Sequence, residues 1–210
     1  MDSALASRWE KMARFENQAL KAGFHSTAGI DEAGRGPLAG PVVAASVIFP
    51  VDFKLLGLND SKQLTAGQRN LFYKEIIKNA LAIGVGIVEP EVIDQINILQ
   101  GTYLAAQIAV SNMPFPPEFL LIDALNLSFL NIPQKSIIKG DTLSYSIAGA
   151  SVIAKVTRDR LMDAYHIQFP QYHFNRHKGY GTKEHLSILR QFGPSPIHRR
   201  SFRGVKPSPS

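Results

Sequence analysis

Apolar and polar positions alternate along this chain with two rhythms, one helical and one extended, and their succession predicts its elements. Over residues 7–22, Trp9, Met12, Ala13, Phe15, Ala19 and Leu20 recur at helical spacing and Gly23 is a natural stop, which predicts one short leading helix. Two extended runs come next. The first ends in Asp31-Glu32; the second, over 42–49, is rich in valine and isoleucine and is expected to return beside the first after a glycine-rich turn. Thr65-Ala66-Gly67-Gln68 has the form of a capping box and opens a predicted helix to about Asn79. Residues 81–88 read as a third strand, in which Gly84 and Gly86 either weaken the strand or allow a close approach. Glu89-Pro90 places a proline where a helix can begin, residues 96–110 form a longer, broadly apolar helix, and the prolines at 114, 116 and 117 end it. A buried strand is expected over 119–122, a shorter one over 136–138, the longest helix over 146–169 and a last helix over 183–192. This alternation supports an α/β fold.

Composition narrows the chemistry. The 210 residues suit one domain, and 45% hydrophobic with 19% charged residues is a globular balance. There is no cysteine, which excludes disulfides and thiolate metal sites and leaves hard oxygen ligands for any metal. No apolar run approaches the roughly 20 residues of a membrane span. The polar start (Arg8, Glu10, Lys11, Arg14) lacks the apolar core of a signal peptide, so no membrane association and a cytoplasmic location are expected. The net charge of +6 is uneven: from Gln171 onward eight Lys or Arg face Glu184 alone, giving +7 there and −1 over the rest. Such a segment suits a polyanion or simply a solvated tail.

Candidate chemistry gathers at a few places. Asp31-Glu32 runs into Gly34-Arg35-Gly36. Neighbouring side chains of a strand point to opposite faces, so these carboxylates share one pocket only if the strand ends or bulges there. Gly34 and Gly36 permit a turn and let backbone N–H groups approach a ligand closely. A charged β-turn at a sheet edge is the plainer alternative. A dinucleotide loop of the form G-x-G-x-x-A is another, although such a loop opens a helix and the valines after it favour a strand. Asp123 stands at the carboxyl end of a predicted strand, where α/β sheets meet ligands, or serves as a turn residue; Asp141 stands before a helix it could equally cap. Asp60-Ser61-Lys62 could be loop and cap. Ser151, Lys155 and Arg158, at spacings of four and three, form one polar stripe that is either a solvated face or a phosphate contact. His173 and His177 are four apart, as helical zinc ligands could be, but no cysteine or suitable third ligand stands nearby.

In order, the segment around Asp31-Glu32-Ala33-Gly34-Arg35-Gly36, Asp60-Ser61-Lys62-Gln63-Leu64, Asp123-Ala124-Leu125-Asn126-Leu127, Lys139-Gly140-Asp141, the run from Ala150 to Asp159, and His177-Lys178-Gly179-Tyr180-Gly181-Thr182 resemble the signatures of the type 2 ribonucleases H, bacterial ribonuclease HII in particular. The resemblance spans residues 28–192. It implies a ribonuclease H-like mixed β-sheet flanked by helices, with a helical C-terminal portion. The chain is then one domain over 1–210, with a catalytic core at 25–170, a basic helical portion at 171–204 and a disordered tail at 205–210. About 25 residues before the first strand leave no room for the additional N-terminal domain of the related ribonuclease HIII.

The resemblance also implies an endonuclease that hydrolyses the RNA strand of RNA–DNA hybrids and cuts 5′ to single ribonucleotides in duplex DNA. Asp31, Glu32, Asp123 and Asp141 are its implied catalytic and metal-binding residues, with Mg²⁺ or Mn²⁺ as cofactor and 5′-phosphate and 3′-hydroxyl ends as products. Four carboxylates in one cleft raise each other's pKa, and a divalent ion reverses that penalty. Backbone groups of Gly34, Arg35 and Gly36 are expected at the 2′-hydroxyl and Tyr180 on the neighbouring deoxyribose. Lys62, Ser151, Lys155 and Arg158 are expected along the substrate backbone. A monomer is expected, and the tail lacks the glutamine, aliphatic and paired aromatics of a clamp-binding motif, so no protein partner is indicated.

Overall fold

The computed structural model describes residues 3–205. The predicted leading helix is two: α1 (Ser3–Met12) and α2 (Arg14–Lys21), separated at Ala13 (φ −82°, ψ −1°). The break lets the two segments serve different partners. Trp9 of α1 stacks on Tyr145 with ring centroids 4.9 Å apart, and Glu16 of α2 is buried, accepting from Ser144 Oγ at 2.5 Å and from the Ser146 amide at 3.0 Å.

The chain then builds a five-stranded mixed sheet from β1 (Thr27–Ala33), β2 (Val42–Ile48), β3 (Ala82–Val88), β4 (Phe119–Asp123) and β5 (Gln134–Ile137) in the order β3-β2-β1-β4-β5. The first three strands pair antiparallel; β4 joins β1, and β5 joins β4, in parallel. β1 neither ends nor bulges at the two acids: its ladder continues through Asp31↔Ala45, Glu32↔Ala44 and Ala33↔Val43. The alanines opposite are small, so the carboxylates meet no bulk across the ladder and regular pairing survives. The turn comes one residue later, at Gly34, whose φ of +100° is left-handed and glycine-favoured.

Helices cover both faces. β2 is buried along its whole length: Val42 and Ala44 pack with Ala105, Ala106 and Ala109 of α4 (Pro90–Ser111), whereas Val43, Ala45 and Val47 pack with Ala148, Ala150 and Val152 of α6 (Tyr145–Gln168). α3 (Ala66–Asn79), started by the Thr65–Gln68 capping box, precedes β3, and the single turn α5 (Gly140–Leu143) leads into α6. The helix expected over 96–110 starts earlier, at Pro90, and breaks at Asn97 (φ 68°, ψ 166°). Asn97 leaves the helix because its side chain caps the next turn, its Oδ1 accepting from the amides of Leu99 and Gln100 at 3.0 and 3.1 Å. A single-turn α7 (Phe174–His177) and α8 (Lys183–Phe192) complete a smaller cluster around Ala39, Met162, Tyr172 and Phe174. Val205, expected in a disordered tail, is buried and its amide donates to Phe202 O at 3.1 Å; the rest of that tail, 206–210, lies outside the described residues. Among the described residues no helix is long and apolar enough to cross a membrane.

Gly84 and Gly86 mark a close approach. A Cβ on Gly86 would lie 1.9 Å from Ala105 O, and one on Gly84 1.9 Å from Ala109 O, so α4 rests directly on the backbone of β3. Gly86→Ala must push that helix away, and an overpacking loss of about 1–3 kcal/mol is expected in chemical denaturation. An unchanged midpoint would show that the contact tolerates a methyl group.

Candidate active site

Parallel pairing of β1 with β4 sets Ile30 beside Ile122, so Asp31, within β1, stands level with Asp123 at the end of β4. Asp31 is buried, with Oδ1 accepting from the Glu32 amide at 2.7 Å. Asp123 Oδ1 accepts from the Gly140 amide at 2.7 Å, which draws the start of α5, and with it buried Asp141, toward the strand ends. The backbone bends sharply to do this: Ala124 (φ 49°) and Lys139 (φ 59°) are left-handed without being glycine, at about 1–3 kcal/mol of strain each.

Asp60 is a fifth carboxylate at this place and was not among the residues expected there. It is buried, its Oδ1 accepts from the Lys62 amide at 2.9 Å, and its charge is among those that raise the Asp141 carboxyl. The available signal was its place in the Asp60-Ser61-Lys62 segment, of which only the lysine was assigned to the site.

Asp31, Glu32, Asp123 and Asp141 resist ionisation. Burial first, then repulsion from Glu32 and Asp123, holds the Asp31 carboxyl well above the usual range. Asp141 is pushed up to about 6 by burial and by Asp60 and Asp123. Asp123 is raised by burial against the opposing Gly140 hydrogen bond. Glu32 is raised by burial although the Arg35 guanidinium, 3.2 Å from its Oε1, favours its charge. Burial opposes the charge of Lys62, but Asp31, Asp60, Asp141 and Asp123 outweigh it and raise its pKa. Among the described residues no three Asp, Glu or His side chains already stand in a ligating arrangement. The donor set itself fits a hard divalent cation: every side chain is a carboxylate, and their mutual repulsion is what such a cation relieves.

Two arginines shape the turn after Glu32. Arg199, 0% exposed, donates from Nη2 to Gly34 O at 2.6 Å, from Nη1 to Arg35 O and Pro37 O at 2.9 Å each, and from Nε to Gly40 O at 2.9 Å. In a trans peptide the carbonyl and the following N–H point in opposite directions. With the Gly34 and Arg35 carbonyls turned to Arg199, the amides of Arg35 and Gly36 face away from the buried guanidinium. Arg158, 1% exposed, donates to Pro41 O, Ala39 O and Lys178 O, each at 3.0 Å. It therefore does not share a solvated stripe with Lys155: its nitrogens are taken by main-chain carbonyls that would otherwise be buried without donors. Ser151 is buried too, donating to Ser61 Oγ at 2.9 Å. Sequence reasoning counted Arg199 only as basic charge, and nothing in the pair Arg199-Arg200 says which one turns inward.

An open cleft of about 230 Å³ lies in front, lined by Glu32, residues 33–36, Ser61, Lys62, Ser151, Lys155 and Tyr180. Tyr180 is 45% exposed, and a Cβ on Gly36 would lie 4.0 Å from its Cε1, so ring and turn face each other. Lys155 Nζ is 5.9 Å from the Tyr180 ring centroid and 2.7 Å from Asp159 Oδ1. Asp31, Asp123 and Asp141 are not in this lining; they meet it through the charge of Lys62. His173 and His177 do not converge on a metal: His173 pairs with Glu184 at 2.9 Å and His177 Nε2 meets Tyr172 O at 2.8 Å.

The sequence model described as Ribonuclease HII matches residues 28–205. Ribonuclease HII of Syntrophus aciditrophicus is 57% identical over 192 residues, covering 91% of both chains, and that of Enterococcus faecalis is 54% identical over 198 residues, covering 94% of this chain and 77% of the relative. Among solved structures, ribonuclease H2 of Pyrococcus horikoshii superposes with a TM-score of 0.70 at 26% identity, over 86% of this chain and 95% of the other. Ribonuclease HII of Archaeoglobus fulgidus, solved in complex with PCNA, superposes with a TM-score of 0.68 at 27% identity, over 83% and 94%. Ribonuclease HIII solved with Mn²⁺ shares the fold, with a TM-score of 0.66 at 19% identity over 90% and 70%. A match to the family over most of the chain, joined to relatives more than half identical along nearly its full length, settles the membership that the clustered acids suggest: the chain belongs to the ribonuclease HII family and is an endonuclease of the ribonuclease H class.

Proposed function

We propose that the protein cuts the RNA strand of RNA–DNA hybrids, and duplex DNA 5′ to a single embedded ribonucleotide, with divalent cations held by Asp31, Glu32, Asp123 and Asp141. The observation that carries this reading is the placement of acids side by side on β1 and at the end of β4, beside a cleft walled by the backbone of 34–36 and by Tyr180. Bound Mg²⁺ or Mn²⁺, in a pair, supplies water activation and stabilisation of the departing 3′-oxygen, leaving 5′-phosphate and 3′-hydroxyl ends. The chain's own residues do the rest. Glu32, which regular pairing turns to the face opposite Asp31, would meet a cation through a neighbouring backbone oxygen or on leaving Arg35, and the amides of Arg35 and Gly36 would donate to the 2′-hydroxyl that separates RNA from DNA. Tyr180 lies flat on the next sugar, which favours a deoxyribose there. Lys62 and Lys155 meet phosphates. Arg158, enclosed by carbonyls, acts on substrate only by holding the turn. The substrate is nucleic acid, and the reading needs only a monomer.

Three measurements test it. A duplex carrying one ribonucleotide is expected to be cut on its 5′ side by the wild type with Mg²⁺ or Mn²⁺ and left whole in EDTA, while Asp123→Asn binds without cutting. Tight binding with no cut under any metal would replace the enzyme with a non-catalytic binder. Lys155→Ala is expected to lower the slope of log affinity against log salt by about one unit. Arg158→Lys, in a protein that stays folded, is expected to leave that slope unchanged, and an equal fall in both would return Arg158 to the phosphate contacts. Finally, Asp141→Asn removes a charge that its neighbours oppose. In EDTA it is expected to melt about 2–4 °C above the wild type, and Mg²⁺ is expected to raise the wild type more than the variant. Equal Mg²⁺ shifts would take Asp141 out of the ligand set.

A further inference from the structure

Three buried histidines stand behind Tyr180 and take no part in the cation and phosphate chemistry. His177, His185 and His198 are 7%, 0% and 1% exposed. His177 stacks on His185 with ring centroids 4.2 Å apart, and His185 Nε2 lies 2.9 Å from His198 Nε2. The hydrogen positions on the last two rings are fixed by their partners. The Ser195 amide, which can only donate, is 2.9 Å from His198 Nδ1, so that nitrogen is bare; Ser195 Oγ also reaches it at 2.7 Å. His198 then carries its hydrogen on Nε2 and donates to His185 Nε2. His185, bare at Nε2, carries its hydrogen on Nδ1, which lies 2.9 Å from the acceptor Tyr180 O. The hydrogen bonds thus run one way, from the Ser195 amide through two rings to the carbonyl of Tyr180.

Burial keeps both rings neutral, with His185 held down to about 4 and His198 to about 3, so this order persists at neutral pH. The segment carrying Tyr180 is gripped at neighbouring points as well: the Gly179 amide donates to His177 Nδ1 at 3.2 Å, and the Tyr180 amide donates to His177 O at 2.9 Å. Simple packing explains buried rings, but it does not require a fixed direction of donation that ends on the main chain of the exposed residue facing the cleft.

We propose that the chain Ser195–His198–His185 positions Tyr180. By fixing the peptide from which the ring projects, it sets the preference for a ribonucleotide followed by DNA over one inside a long hybrid. This rests on the role proposed for Tyr180 at the substrate sugar. The two amide substitutions at His185 separate position from mere filling. Asparagine places an N–H where Nδ1–H stood and keeps the donor to Tyr180 O; glutamine reaches the Nε2 position, can accept from His198, and leaves Tyr180 O without that donor.

The experiment measures, in the full chain, the ratio of cleavage rates on a duplex with one ribonucleotide and on a long RNA–DNA hybrid, for the wild type, His185→Asn, His185→Gln and Tyr180→Ala. His185→Asn is expected to keep the wild-type ratio within about twofold, and His185→Gln to lose roughly tenfold, toward Tyr180→Ala; misplacement by about an ångström can cost up to ~100-fold. If Tyr180→Ala loses the ratio and His185→Gln keeps it, the positioning role is overturned while the reading of Tyr180 stands. If Tyr180→Ala keeps the ratio, the reading of Tyr180 fails and the proposal falls with it. Equal losses in the two His185 variants would reduce the ring to filling and overturn the proposal. Should either variant fail to fold, nitrogen-15 NMR of the wild type decides: hydrogen on Nδ1 of His185 and on Nε2 of His198 supports the chain, and any other pair of tautomers overturns it.

Discussion

Seven main-chain carbonyls turn toward two buried guanidinium groups, and the shape of the catalytic face depends on that arrangement. A buried charge is tolerable when its donors are all met, and a tight turn is tolerable when its carbonyls are. Each solves the other's difficulty here. Arg199 and Arg158 need acceptors, and the stretch from Gly34 to Pro41 is too irregular to satisfy its own carbonyls by a ladder. The planar fork of arginine can reach several at once, which a lysine could not. The result is a rigid ring of backbone whose free amides face outward, built from charges that never touch solvent.

The acids beside that ring obey the opposite logic. Nothing in the fold neutralises Asp31, Asp60, Asp123 and Asp141 fully; Lys62 answers several carboxylates at once, and Arg35 is engaged with Glu32. Left-handed backbone at Ala124 and Lys139 adds strain at the same place. Stability is given up at these acids, and it is recovered in the alanine-rich contacts of α4 and α6 with β2, where small side chains allow close packing on both faces.

Much of this was legible in the sequence because it rests on short-range signals. The Thr65–Gln68 capping box, the valine-rich run of β2 and the apolar periodicity of α6 are local patterns, and each element formed within a few residues of its expected bounds. The acids on β1 and at the end of β4 were found from their position after apolar runs and from the family resemblance. The features that escaped depend on partners distant in the chain. Whether an arginine is solvated or enclosed is decided by carbonyls that the fold brings to it, so Arg158 was placed on a polar stripe and Arg199 in a basic tail. Strand continuation through Asp31 and Glu32 was missed for the same reason: the alternation rule was sound, but the alanines that leave room for the acids belong to the opposite strand. Asn97 is a local exception; its capping side chain was visible but lay inside a run too apolar to suggest a break.

The Arg199 contacts also carry a consequence in time. Residues 34–40 are synthesised well before the side chain that organises their carbonyls, which follows more than 150 residues later by the separations of 159 to 165 between partners. Until then the glycine-rich turn emerges from the ribosome without its internal template, while the strands and acids around it can already pair. A chain cut before Arg199 would keep the carboxylates and lose the donors that meet the carbonyls of Gly34, Arg35, Pro37 and Gly40.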